Sequence, residues 1–155
     1  MLEYYAKRAP EYERIYAKPE RQDDLAWLKA RVRDLTRGAR VLDLACGTGY
    51  WTEAMSEARS IVGADFNDTV LRIARAKGIG GAAFVRADND ALPFAPGAFD
   101  VMTAGGWWSH VPLQELRAHL ERLQSAAAHF GVPWDGTAVS QCLQALAAEH
   151  ASGAW

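Results

Sequence analysis

Only two cysteines, Cys46 and Cys142, occur in the 155 residues of this chain. That is too few for a disulfide framework and suits a reducing compartment, so a cytoplasmic protein is expected. No apolar run approaches the roughly 20 residues that span a bilayer, and the N-terminus lacks a secretory hydrophobic segment, so no membrane partner is expected. A net charge of -2 offers no electrostatic footprint for nucleic acid. Arg31, Arg33, Arg37 and Arg40 read as a solvated helix face. His119, His129 and His150 have no ligand-like spacing with cysteines or acids, and no metal site is expected. Repeats and low-complexity linkers are also absent, and a chain of this length with half its residues hydrophobic makes one core. Cationic residues are missing from the end: all 17 Lys and Arg lie at or before Arg122, beyond which only Asp135 and Glu149 are charged.

What is present begins with Val41-Leu42-Asp43-Leu44-Ala45-Cys46-Gly47-Thr48-Gly49. It reads as an apolar strand that ends in an acid and breaks into a glycine-rich turn, with Tyr50 to Met55 as the first turns of a helix. Glycine at positions 47 and 49 lets the backbone turn sharply and approach a ligand, which a Cβ would obstruct. This is the pattern of a nucleotide-cofactor loop. A dinucleotide fingerprint would carry a third glycine where Thr52 stands. Asp43, just before the turn, is instead placed to accept hydrogen bonds from a ligand ammonium.

A second strand, Ser60 to Ala64, ends at Asp65, where a carboxylate beside the crevice can grip both hydroxyls of a ribose. For the helix that follows, Asn67 or Asp68 is the better N-cap. The third apolar segment, Ala82 to Ala87, runs into Asp88-Asn89-Asp90-Ala91-Leu92-Pro93-Phe94, whose acid can receive the exocyclic amine of an adenine. The fourth, Phe99 to Ala104, opens into Gly105-Gly106-Trp107-Trp108-Ser109-His110. Helical spacing over Leu25, Leu28, Val32 and Leu35 predicts one buried face before the first strand, and similar spacing predicts helices at 51–58, 70–76 and 113–123. Strands alternating with helices imply a parallel sheet with right-handed crossovers.

With these pieces in this order, from about Tyr4 to about Leu123, the chain resembles the class I S-adenosylmethionine-dependent methyltransferases. The resemblance implies an α/β fold: a Rossmann-like parallel sheet with flanking helices, strand order 3-2-1-4, forming the first half of the family fold. It implies S-adenosylmethionine as cofactor and a small-molecule substrate as methyl acceptor. Asp43, Ala45, Gly47 and Gly49 then hold the methionine moiety, Asp65 the ribose, and Asp88 with Asn89 the adenine. Cys46, Thr48, Phe66, Ala104 and Gly105, beside these positions, count with the cofactor site. Ala45 stands where many members have the first glycine. The lead-in Tyr4 to Tyr12 resembles a segment in which a tyrosine, here Tyr12 or Tyr5, folds over the cofactor.

Methyl transfer from a sulfonium is an in-line displacement, which leaves the enzyme to align the acceptor and remove its proton where it has one. Trp107 and Trp108 are the expected substrate-pocket residues and His110 the expected base. After Leu123 the family pattern stops: no fifth strand is visible, and 138–148 reads as a helix. We therefore expect a cofactor-binding unit over 1–123 and an atypical helical tail over 124–155. The fourth strand would then be an edge, covered by the tail through Val139, Cys142, Leu143 and Leu146 or paired in a homodimer. Three other readings stay open: a non-catalytic cofactor-binding or interaction protein, a nicotinamide oxidoreductase, and an inactive fragment.

Overall fold

The computed structural model describes residues 13–14, 16–89, 91–105 and 111–134. Four short apolar segments form the strands β1 (Arg40–Leu44), β2 (Ser60–Asp65), β3 (Ala82–Arg86) and β4 (Val101–Thr103), all parallel, in the order β3-β2-β1-β4. This is the order that the family resemblance implies. Val41, Leu42, Asp43 and Leu44 are all buried, as expected of a central strand in a parallel sheet covered on both faces.

Side-chain alternation along β1 divides the core. Leu42 and Leu44 cluster with Phe99, Leu123 and Phe130, whereas Val41 packs with Met55 and Ile61. The first cluster is sealed by α3 (Leu116–Phe130), where Phe99 meets Phe94 at 5.2 Å and Phe130 at 5.3 Å edge to face. Such pairs each contribute about 0.5–1.5 kcal/mol beyond burial. The predicted helix over 113–123 thus begins at Leu116 and continues to Phe130. The alanine-rich stretch propagates it, and left-handed Gly131 (φ 69°) caps it as Val132 N–H donates to Ala127 O.

α1 (Gln22–Thr36) lies out of phase with its expected face. Leu25 and Thr36 are buried and Val32 is half-buried, but Leu28 is 36% and Leu35 58% exposed. The inward stripe runs Leu25, Lys29, Val32, Thr36. Thr36 tolerates burial because its hydroxyl donates to Val32 O at 2.8 Å, and Lys29 because its ammonium lies 4.0 Å from the Tyr50 ring centroid. A second correction concerns 51–58: only a 3-10 turn, Thr52–Met55, forms there. With Gly49 in the turn and β2 starting at Ser60, the connection is too short for more, since Arg59 N–H already donates to Ala39 O.

α2 (Asp68–Ala76) buries Val70, Leu71 and Ala74, and Asn67 caps it by accepting from Thr69 N–H at 2.9 Å. Gly63 of β2 has no room for a side chain: a Cβ there would lie 2.6 Å from Phe84 of β3. No helix among the described residues is long and apolar enough to cross a membrane. Among them β4 pairs only with β1. Val139, Cys142, Leu143 and Leu146 lie outside the described residues.

Candidate functional site

The carboxyl ends of β1, β2 and β3 bring the predicted residues to one edge of the sheet, and the turn after β1 is their hub. Cys46 N–H donates to Ala64 O of β2, Gly47 N–H to Asp65 Oδ2 at 3.0 Å, and Gly49 N–H to Cys46 O. Three residues take positive φ: Ala45 at 50°, Gly47 at 55° and Gly49 at 81°. Ala45 occupies a left-handed position that costs an L residue about 1–2 kcal/mol, the kind of local strain that clusters at ligand sites. Gly49 is confined as well as turned, since a Cβ there would meet Ile79 at 3.1 Å and Ala74 at 3.3 Å. Cys46 turns its sulfur toward Gly63, and burial pushes its thiol well up, so it offers backbone and no nucleophile.

Asp43 is 1% exposed and keeps both oxygens within the protein. Oδ2 accepts from the Thr52 hydroxyl at 2.7 Å and Oδ1 from the Thr103 hydroxyl at 2.9 Å. Burial pushes its carboxyl up to about 6, against the pull of these two hydrogen bonds, and the charge of Asp65 adds to the rise. The expected direct contact with a ligand ammonium therefore meets a carboxylate lying beneath the turn rather than in the open. Asp65 is less enclosed: Oδ2 accepts from Gly47 N–H and Oδ1 from Asn67 N–H at 2.8 Å. Burial raises it too, opposed by those backbone donors.

Beyond Asp65, Phe66 is an exposed residue, with the Arg86 guanidinium 5.1 Å from its ring centroid and Arg86 Nε donating to Phe66 O. Asp88 is exposed in a bridge with Ala91, and Asn89 is half-buried beside it. Asn89 Oδ1 and Asn67 Nδ2 are buried with no hydrogen-bond partner among the described residues, one acceptor and one donor at neighbouring strand ends. Past β4, Gly105 lies against Trp51: a Cβ there would be 3.1 Å from the indole. Tyr12, Trp107, Trp108 and His110 lie outside the described residues.

Several participants escape the sequence reading. Thr52, read there only as a missing glycine, and Thr103 clamp Asp43. Tyr16 stacks on Tyr50 at 3.9 Å and meets Trp51 edge-on, covering the exit of the turn. Asn67 was legible as a cap but not as a source of an unmet donor.

The family model for the methyltransferase domain matches residues 41–131. The chain belongs to the methyltransferase domain family. Among curated relatives, a demethylmenaquinone methyltransferase of Lactococcus lactis subsp. lactis is 42% identical over 83 residues, 48% of this chain and 32% of that one. A second, from Shouchella clausii, is 34% identical over 110 residues, covering 61% of this chain and 47% of the relative. The solved DhpI-SAH complex is 33% identical with a TM-score of 0.61, covering 81% of this methyltransferase-domain chain and 61% of DhpI. The chain thus spans from about a third to three fifths of the length of these relatives.

Proposed function

We propose that this chain binds S-adenosylmethionine and forms the cofactor site of a methyltransferase that acts on a small molecule. The observation that carries the reading is the charge around the glycine turn. Two neighbouring carboxylates, Asp43 buried and Asp65 partly buried, are both pushed up, which is the state of a site that gains from a cation. An ammonium and a sulfonium suit it. The pyrophosphate of a dinucleotide does not: it wants free turn N–H groups and the N-terminus of a long helix. Here Gly47 and Gly49 N–H already donate within the protein, and only a 3-10 turn follows.

The remaining groups fit an adenosyl compound. Asp65 Oδ2 accepts from Gly47 N–H and Oδ1 from Asn67 N–H, and the carboxylate keeps capacity to accept from the ribose. Phe66 offers a ring face for the base, and Asn89 Oδ1 an unmet acceptor for the exocyclic amine of adenine beside Asp88. Asp43 acts as a fixed negative charge beneath the turn and, through Thr52 and Thr103, ties that turn to β4. Trp51 packed on Gly105 closes the side toward β4. When bound, S-adenosylmethionine supplies a methyl group activated by its sulfonium.

His110 is the proposed base, Trp107 and Trp108 the proposed acceptor surface, and Tyr12 the proposed cover over the cofactor. The names of the relatives support a small-molecule acceptor. The test is release of S-adenosylhomocysteine when the protein meets pools of small metabolites. Turnover that falls about 100-fold in His110→Ala, with cofactor affinity unchanged, is the expected result. Full turnover in that variant removes His110 from the chemistry, and sound cofactor binding without any turnover favours a non-catalytic binding protein. We further propose that two chains pair through the β4 edge that no described strand occupies. Sedimentation of the full chain should show a dimer; a monomer at all concentrations contradicts it.

A further inference from the structure

The glycine turn is held from outside as well as from beneath. Thr48, its middle residue, is 6% exposed, and its hydroxyl donates at 2.8 Å to Glu13 Oε1, a residue 35 positions earlier. Lys77, just past the end of α2 and 64 positions from Glu13, donates through Nζ to that same oxygen and lies 3.5 Å from Glu53 Oε2. One carboxylate oxygen thus joins three segments: the lead-in, the turn and the end of α2. Tyr16, on the same lead-in, stacks on Tyr50, whose ring carries the Lys29 ammonium. Partial burial works against the Glu13 charge, but the Lys77 and Thr48 hydrogen bonds and the two ammonium groups outweigh it, so its carboxyl sits below its ordinary value. It is ionised wherever the protein is folded at neutral pH.

Gly47 gives this turn freedom, since no atom of the described residues lies within 4 Å of its Cβ position. Its conformation is therefore set by the groups that grip it. Asp65 does so from β2, and Glu13 does so through the one side chain between the glycines. We propose that Glu13 is a positioning residue of the cofactor turn, a clasp from the lead-in that holds Thr48 against Lys77 and so sets how firmly an adenosyl cofactor is retained. This rests on the reading that the turn holds such a cofactor. The pair is partly exposed, with side chains 40% (Glu13) and 19% (Lys77) accessible, which limits its strength.

The experiment uses the full chain and S-adenosylhomocysteine as the probe. Glu13→Gln and Lys77→Met should each raise its Kd about fivefold, and the double variant should be no weaker than either, because both break one clasp. Glu13→Asp should recover part of the loss. Without ligand, amide exchange at Gly49 and Glu53, which donate to Cys46 O and Gly49 O, should quicken by a similar factor while Tm stays within a few degrees. Native affinity and native exchange in Glu13→Gln, or additive losses in the double variant, would overturn the proposal. If Glu13→Gln fails to fold, Lys77→Met cuts the clasp from its other end. If the unaltered chain does not bind the probe, the proposed function fails, and the ligand-free exchange still decides whether Glu13 holds the turn.

Discussion

Asp65→Ala should abolish S-adenosylmethionine binding, with a loss of about 100-fold or more by calorimetry. Hydrogen bonds to a charged group are worth about 1.5–3 kcal/mol each, and this carboxylate has two oxygens for two ribose hydroxyls. The variant also strips acceptors from Gly47 and Asn67 N–H, which loosens the turn and the entry to α2. That second effect touches the fold, so Asp65→Asn is the control: it keeps one acceptor for the backbone and loses the paired grip. Affinity within a few-fold of native in both variants would discard the ribose assignment.

Asp43→Asn is expected to stabilise the protein at neutral pH while weakening cofactor binding about tenfold. A carboxyl raised from 3.8 to about 6 on folding holds its proton more tightly in the folded chain. Between those values the folded state binds more protons, so stability falls as pH rises through the window and is level above it. At about 1.4 kcal/mol per pH unit, ionised Asp43 costs roughly 2–3 kcal/mol above about pH 6. Asparagine removes that cost and can still meet Thr52 and Thr103, for a net gain of about 1–2 kcal/mol. Urea unfolding of both forms across this range should show the gain at pH 7 and its disappearance near about pH 4. A less stable variant at pH 7 would contradict the assignment of Asp43 as a strained, function-retaining charge.

Asp100 shifts the other way. It accepts from Arg40 Nε at 3.0 Å and from an Arg40 Nη at 2.7 Å, across the starts of β1 and β4, which holds it down at about 2. Its contribution is present above its ordinary value and is lost as pH falls toward about 2. Because both forms carry Asp100, the difference between them isolates Asp43.

The strands and the turn were legible because apolar runs, terminal acids and glycines are local signals. Asn67 was equally legible as a cap. The face of α1 was not, because counting apolar residues picks Leu28 and Leu35, whereas the fold buries Thr36 and half-buries Lys29, whose polar atoms find partners in Val32 and Tyr50. Thr52 reads in sequence as an absence of glycine; only the sheet brings its hydroxyl under Asp43. Glu13 looks like any solvated acid until residues 35 and 64 positions away meet it. Local spacing announces where a ligand belongs, and long-range polar contacts, which spacing does not encode, decide how its site is held.

The most direct test sets S-adenosylmethionine against NAD in calorimetric titrations of the same protein at neutral pH. A groove made negative by Asp43 and Asp65 should show saturable binding of S-adenosylmethionine and no heat from NAD. Equal or tighter binding of NAD, or no binding of S-adenosylmethionine by a folded protein, would contradict it.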